Sequence, residues 1–525
     1  MALRNGFALA VLGALALVIL APVLLRPGRE PLPAQHESLV IITPHNEATR
    51  SEFTRAFTQW YRERTGRAVV IDWRTPGGAS EIARYLASEM LAAFRLHWER
   101  DLGQRWSAEV EGAFDNPSVA PGEETVAARA RKAFLASGVS CGVDLFFGGG
   151  SFDHIRQAAA GRLVDSGVVA AHPEWFGPLI PQSLGGEPYW DPQGRWIGVA
   201  LAAFGICINH DALARLGMEE TPRRWSDLAD PRLLGSVALS DPTQSGSAAK
   251  AFEMLIQQQM AEAVAEGQTP EEGWAGGMRL LRRVAANARY FTDSASKVPW
   301  DVESGDAAAG MAIDFYGRFQ SEAVRRPDGT SRMEYRTPEG GSSFGADPIA
   351  MLRGAPSPEA ARAFIEFTIS PEGQKLWNWK VGTPGGPSRY ALRRLPILPT
   401  LYAPEFAPLR SDPGVNPYGE AGLDYRPQWT GPLFRSIGFI VQTMCIDSHE
   451  ELREAWRALV AAGFPPEATA RFDDVSALAY PIVMNELRPA LSTGQKIGQV
   501  RLAREWGERF RSAYREVTAL ARAGR

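Results

Sequence analysis

Trp196 to Asn209 reads WIGVALAAFGICIN, fourteen residues of which all but the two glycines and the final asparagine are apolar. A run of this kind, rich in small and β-branched residues, predicts strand buried on both faces. It is too long for one ordinary strand of five or six residues. We therefore read it as a crossing, in which the chain leaves one α/β lobe and enters another. A second run, Phe344 to Leu352 (FGADPIAML), is expected to carry the chain back.

Upstream of the crossing the pattern is β-α-β-α. Ser38 to Thr43 (SLVIIT) predicts a buried strand ending at Pro44. Phe53, Phe57, Trp60 and Tyr61 stripe the helix after it,. Ala68 to Trp73 (AVVIDW) predicts the second strand, followed by the turn Thr75 to Ser80 and a helix striped by Ile82, Tyr85, Leu86 and Met90. Val143 to Phe147 predicts a third strand, running into Gly148-Gly149-Gly150-Ser151 and another helix. Between these units, residues 94–138 are rich in Glu, Arg and Trp and broken by Asn116-Pro117 and Pro121-Gly122, as expected of a surface helical insertion,.

Beyond the crossing, Ser236 to Ser240 predicts a strand that feeds the loop Asp241 to Ser247 and a helix carrying Phe252, Leu255 and Ile256. Ala307 to Tyr316 predicts another strand. The expected organisation is 1–37 signal peptide or membrane anchor with linker, 38–200 first lobe, 201–344 second lobe, and 345–394 the rest of the first lobe. Residues 395–525 are expected to form a mainly helical extension packed on the first lobe.

The whole chain has 525 residues, room for more than one core,. Its 56 Lys+Arg against 60 Asp+Glu leave a net charge of -4, so it lacks the basic footprint of a nucleic-acid binder,. Cys141, Cys207 and Cys445 are far apart and form no C-x-x-C pair, which argues against a zinc site and leaves one disulfide open,. Arg4 followed by the apolar stretch Phe7 to Leu25 and a proline-rich segment is an export signal, cleaved or retained as a transmembrane anchor,. That places the protein in the periplasm or otherwise outside the cytoplasm.

Enzyme motifs fail on context. Gly138-Val139-Ser140-Cys141-Gly142 fits G-x-S-x-G but precedes a strand, where a nucleophile elbow would follow one,. Ser247-Ala248-Ala249-Lys250 fits S-x-x-K without the companion motifs,. No catalytic residue, metal site or cofactor is expected.

The ordered set VIITPHNEATRSEF, GGASEIARYL, VDLFFGGGSFDH, WIGVALAAFGICINHDAL, WSDLADPRLLGSVALSDPTQSGSAAKAF, MAIDFYGR and FGADPIAMLRGAPSPEAARAFIEF resembles the extracellular solute-binding proteins of ABC importers. The resemblance is to the two-lobed group that includes ferric-iron, thiamine, polyamine and phosphonate binders, and it covers roughly residues 38–379. It implies a periplasmic-binding-protein-like α/β fold with two hinge crossings, closure of the lobes on a small ligand, and a membrane permease as partner. The insertion and the extension exceed the family's usual span.

Ligands of open α/β sheets sit beyond the carboxyl ends of the strands, where the following helices present unpaired N–H groups. Four strand-to-helix turns supply the candidates. Thr43 and Asn46 follow the first strand, with helix capping as the alternative role. Gly78 and Ser80 follow the second; Gly149, Gly150 and Ser151 follow the third. Thr243, Ser245, Gly246 and Ser247 gather several donors at one helix start. Asp314 and Tyr316 end the strand MAIDFY, where the carboxylate would meet either Arg318 or a ligand amine,. The expectation is a phosphate-, phosphonate- or carboxylate-bearing anion or zwitterion, held by a monomer. A ferric-iron binder is the rival in the same class, weakened by Phe315 standing beside a lone Tyr316. A membrane-anchored ligand sensor is the rival from another class.

Overall fold

A computed structural model describes residues 36–122, 124–419, 422–492 and 496–525. The export segment Phe7 to Leu25 lies outside the described residues. None of the described helices is long and apolar enough to cross a membrane.

The strands of the two large sheets, in chain order, are β1 (Glu37–Ile42), β2 (Val69–Arg74), β3 (Leu145–Phe147), β4 (Leu163–Val164), β5 (Ile197–Ala202), β6 (Phe204–Asn209), β7 (Val237–Ser240), β8 (Ala288–Thr292), β9 (Ala309–Ile313), β10 (Met333–Arg336), β11 (Gly345–Leu352) and β12 (Leu395–Pro396). The helices that matter below are α1 (Glu47–Thr65), α2 (Ala79–Leu96), α3 (Ser151–Ala160), α4 (Gly246–Ala265), α5 (Pro270–Ala286), α6 (Lys297–Ser304), α7 (Asp314–Ala323), α8 (Phe434–Val441), α9 (His449–Ala462) and α10 (Lys496–Arg522).

Two mixed sheets result, beside a two-stranded antiparallel one formed by Ser183–Leu184 and Glu187–Pro188. One has the order β12-β5-β11-β3-β1-β2, with β4 paired to β11. Its β1 runs parallel to β2 and β3, while β11 is antiparallel to β3 and β5. The other has the order β8-β7-β9-β6-β10. In the run Trp196 to Asn209, β5 belongs to the first sheet and β6 to the second, and only Ala203 separates them. Every residue of both strands is buried, which is why the sequence shows no alternation there,.

The return from β10 to β11 lies beside the outward crossing: the Phe204 N–H donates to Ser342 Oγ at 2.8 Å. A third crossing follows, which the two-crossing expectation omitted. The Leu423 N–H donates to the Ser342 carbonyl at 2.9 Å, and Tyr425 N–H to the Gly185 carbonyl at 2.8 Å. The chain needs it because the extension begins on the first lobe, with β12 against β5, and ends on the second.

This corrects the expected packing of residues 395–525. Leu395 to Leu401 join the first lobe's core, but Leu433, Ile440, Leu452, Trp456, Leu459 and Phe472 share one core with Leu255, Trp274 and Leu281 of the second lobe. Trp274 Nε1 donates to the Leu478 carbonyl at 2.8 Å and Trp456 Nε1 to Asn287 Oδ1 at 2.8 Å. Helix α5 therefore has an apolar face that the second lobe alone does not cover.

The 94–138 segment forms helices at Ala108–Ala113 and Val126–Ala136, with a small core of its own around Phe94, Phe114 and Phe134. All three cysteines are free, so no disulfide staples the lobes.

Candidate functional site

Between the sheets lies a cavity of about 680 Å³. The start of a helix faces it at five places, because both sheets direct the carboxyl ends of parallel strands toward it. From the first lobe come the N-caps of α2 (Gly78) and α3 (Gly150). The second lobe supplies those of α4 (Ser245), α6 (Ser296) and α7 (Ile313). Each helix start carries the equivalent of roughly half a positive charge on unpaired N–H groups. Three of the five are already partly engaged: the Gly78 N–H donates to Glu81 Oε2 at 2.6 Å, the Ala248 N–H to Ser245 Oγ at 3.3 Å and the Phe315 N–H to Asp314 Oδ1 at 2.7 Å.

Glycine is required at the β3 turn. Gly148 has φ of 98° and Gly149 of 96°, a region that L side chains rarely adopt,. A Cβ on Gly148 would lie 2.6 Å from His45 Cε1, and one on Gly149 would lie 2.9 Å from Ala79 Cβ. The turn is thus pressed onto the neighbouring β1 and β2 loops, and this draws the starts of α2 and α3 together.

Two clusters of paired charges stand in the walls, beside Glu81, Asp153, Arg156 and Asp293. Arg394 is buried, its guanidinium 3.8 Å over the Phe315 ring and bonded to Asp347 Oδ2. Burial pulls its pKa down to about 10, so it remains cationic at neutral pH. Asp347 also meets His45 Nε2 at 3.4 Å, while its Oδ1 is buried with no hydrogen-bond partner. His45 is held well below its ordinary pKa by burial, then by Arg394 and Arg50, and is therefore neutral.

Lys250 forms the second group. Its Nζ lies 2.9 Å from both Glu187 Oε1 and Glu253 Oε2, and 3.6 Å from the centre of the Tyr425 ring. Ser343 Oγ donates to Glu187 at 2.6 Å, and Tyr425 hydroxyl to Glu253 at 2.9 Å. Two carboxylates raise the Lys250 pKa against the opposing effect of burial. With its charge more than offset by two carboxylates, Lys250 ties Glu187, upstream of β5, to α4.

Of the residues proposed from sequence, Gly78, Gly149, Gly150, Ser151, Ser245, Gly246, Ser247 and Tyr316 line this cavity. Five others do not. Thr43 is buried, with its hydroxyl on His45 Nδ1 at 3.0 Å. Asn46 caps α1 by accepting from the Thr49 N–H at 3.1 Å. Ser80 sits one residue inside α2, behind the cavity wall. Thr243 turns onto Asp241 Oδ1 at 2.7 Å. Asp314 is buried and held by Arg318 Nη2 at 2.7 Å and by the Phe315 N–H at 2.7 Å, so its partner is an arginine and not a ligand amine.

Sequence reasoning passed over Arg394, Asp347, Glu187, Lys250, Glu253 and the Asp293 to Ser296 turn, all of which line the cavity. Two had a legible signal. Asp347 is a carboxylate within an apolar run, as Asp314 is; Asp293-Ser294-Ala295-Ser296 is another polar turn between strand and helix. Arg394 had none, since it lies in a proline-rich connector. Among the described residues no group of three or more His, Cys, Asp or Glu could hold a metal ion.

Residues 143–394 match the family model described as bacterial extracellular solute-binding protein. An uncharacterized protein of Haemophilus influenzae is 27% identical over 243 residues, 46% of this chain and 61% of that one. The phosphoglycerate transport regulatory protein PgtC of Salmonella typhimurium is 25% identical over 224 residues, 42% of this chain and 47% of its own length. The aligned part is thus between about half and three fifths of each curated relative. Among solved structures, the periplasmic binding protein P5PA aligns with a TM-score of 0.48 at 16% identity, over 81% of this chain and 99% of that one. The iron-bound HitA of Pseudomonas aeruginosa aligns with a TM-score of 0.45 at 18% identity, over 77% and 99%.

Proposed function

We propose, on the match of residues 143–394 to the bacterial extracellular solute-binding family, that this chain captures a small organic anion between its lobes for an ABC importer. The observation that carries the anion is the convergence of five helix starts on one cavity. An anion there replaces water on N–H groups that the helices leave unpaired, and each charge-assisted bond contributes about 1.5–3 kcal/mol. Arg394, paired with Asp347 in the cavity wall, adds a cation to the lining. Contacts from both lobes favour the closed state, because an open cleft offers the ligand only one set.

The space supports an organic solute over a bare oxyanion, since about 680 Å³ is within the 300–1,000 Å³ of sites that enclose drug-sized ligands,. The carboxylates Asp153, Asp293 and Asp347 suit hydroxyl groups on its other end. One curated relative is named for phosphoglycerate, a compound of this description. The family match supports a location outside the cytoplasm, and we assign Phe7 to Leu25 to export, as signal or tether.

Calorimetry on the full chain tests the reading with glycerol 3-phosphate, 3-phosphoglycerate and glycerol. The two anions bind and glycerol does not. Ser247→Pro removes one N–H from the first turn of α4 while keeping a helix-compatible φ, and weakens both anions by about tenfold or more. Binding of glycerol alone, or anion binding indifferent to Ser247→Pro, overturns it.

A further inference from the structure

The extension after residue 394 lies outside the family match, yet it supplies part of the cavity wall: Tyr425, Pro427, Gly431 and Phe434 all face the space. Phe434 opens α8, which packs on α4 of the second lobe, whereas Phe152 is in the first turn of α3 on the first lobe. Their ring centroids are 4.4 Å apart with the planes at 38°, so the two rings touch across the cleft. A second approach across the cleft lies at Gly78, where a Cβ would stand 3.6 Å from the Gln244 carbonyl oxygen.

We infer that the extension is a working part of the binding site, in which Phe434 and Phe152 form a clasp that shuts the cleft and packs against an apolar flank of the bound anion. The inference rests on the anion reading above for its ligand and on the ring contact for the clasp. Three features carry it. Phe152 and Phe434 are both partly exposed although each is a large apolar ring, so they retain surface to bury. Ile155, 45% exposed, follows Phe152 on the same cavity wall, and Phe204 and Phe315 extend the apolar lining inward. Finally, the third crossing at Leu423 is bonded to Ser342 of the return crossing, so α8 is led to the cleft by the hinge itself.

The clasp is tested without any ligand. Spin labels at Ser118→Cys on the first lobe and Gln268→Cys on the second, in full chain carrying Cys141→Ser, report the inter-lobe distance; Cys207 and Cys445 are buried and escape labelling. Phe434→Ala gives a longer and broader distance distribution than Phe434, and Phe434→Leu an intermediate one. An unchanged distribution in Phe434→Ala overturns the clasp, whatever the chain binds.

Calorimetry then compares inorganic phosphate with phenyl phosphate. Phe434→Ala weakens both through loss of closure, and weakens phenyl phosphate by up to about tenfold more than inorganic phosphate, the range of one aromatic pair. Equal loss for both overturns the apolar flank. If neither compound binds the unaltered chain, the anion reading and the flank both fail, and the clasp stands or falls on the distances alone.

Discussion

Asp153 shows how one side chain can tune an anion site. It lies in the first turn of α3, at the cavity, and burial pushes its carboxyl up to about 6, with Arg156 pulling the other way. Above that pH it is charged and opposes an anion; below it the opposition is gone. Affinity for phenyl sulfate, whose charge is constant from pH 5 to 8, therefore rises several-fold between pH 7.5 and pH 5. Asp153→Asn binds at all pH values as the parent does at pH 5. A profile unchanged by that substitution would show that Asp153 does not face the ligand.

At the scale of single elements, the β3 turn fixes the geometry of the first lobe's half of the site. Gly149→Ala must place a Cβ at φ of 96° and 2.9 Å from Ala79 Cβ, forcing apart the starts of α2 and α3. Left-handed backbone costs an L residue about 1–2 kcal/mol before any clash. The variant is expected to melt lower and to bind more weakly. A parallel measurement on Gly150→Ala provides the control, since a Cβ there meets nothing within 4 Å and its φ is -98°. If the two variants behave alike, packing of the turn on its neighbours is not what shapes the site. The same comparison explains what was readable in advance: a run of three glycines announces close approach, but which of them is obligatory depends on the neighbours the turn meets.

For the molecule as a whole, the shared core makes the second lobe and the extension one folding unit. A chain ending at Gly422 would uncover Leu255, Trp274, Leu281 and their neighbours, and each large apolar side chain returned to water costs about 1.5–3 kcal/mol,. Native domains are stable by only about 5–15 kcal/mol in total, so the second lobe should lose its cooperative thermal transition and aggregate while the first lobe retains its own. Two clean transitions in the shortened chain would show that the extension is an accessory after all. A second tie across the lobes lies beside the cleft, where Arg318 of α7 meets the Arg393 carbonyl at 3.2 Å and Asp412 at 3.6 Å.

Local sequence was enough to determine the two-lobed α/β class, because a strand buried on both faces must be written almost wholly in apolar residues. It also marked the strand-to-helix turns, since glycine and small hydroxyl residues are what a helix start facing open space requires. It could not determine which of those turns meet. Thr43, Thr243 and Asp314 look like Ser245 or Ser151 along the chain, yet their oxygens are taken by near neighbours in sequence, His45, Asp241 and Arg318, instead of facing the cavity. Nor could it assign the extension to a lobe. An amphipathic helix declares that it has a face to bury, but the surface that receives it is set by contacts between residues as distant as Trp274 and Leu478, and those exist only in the tertiary structure,.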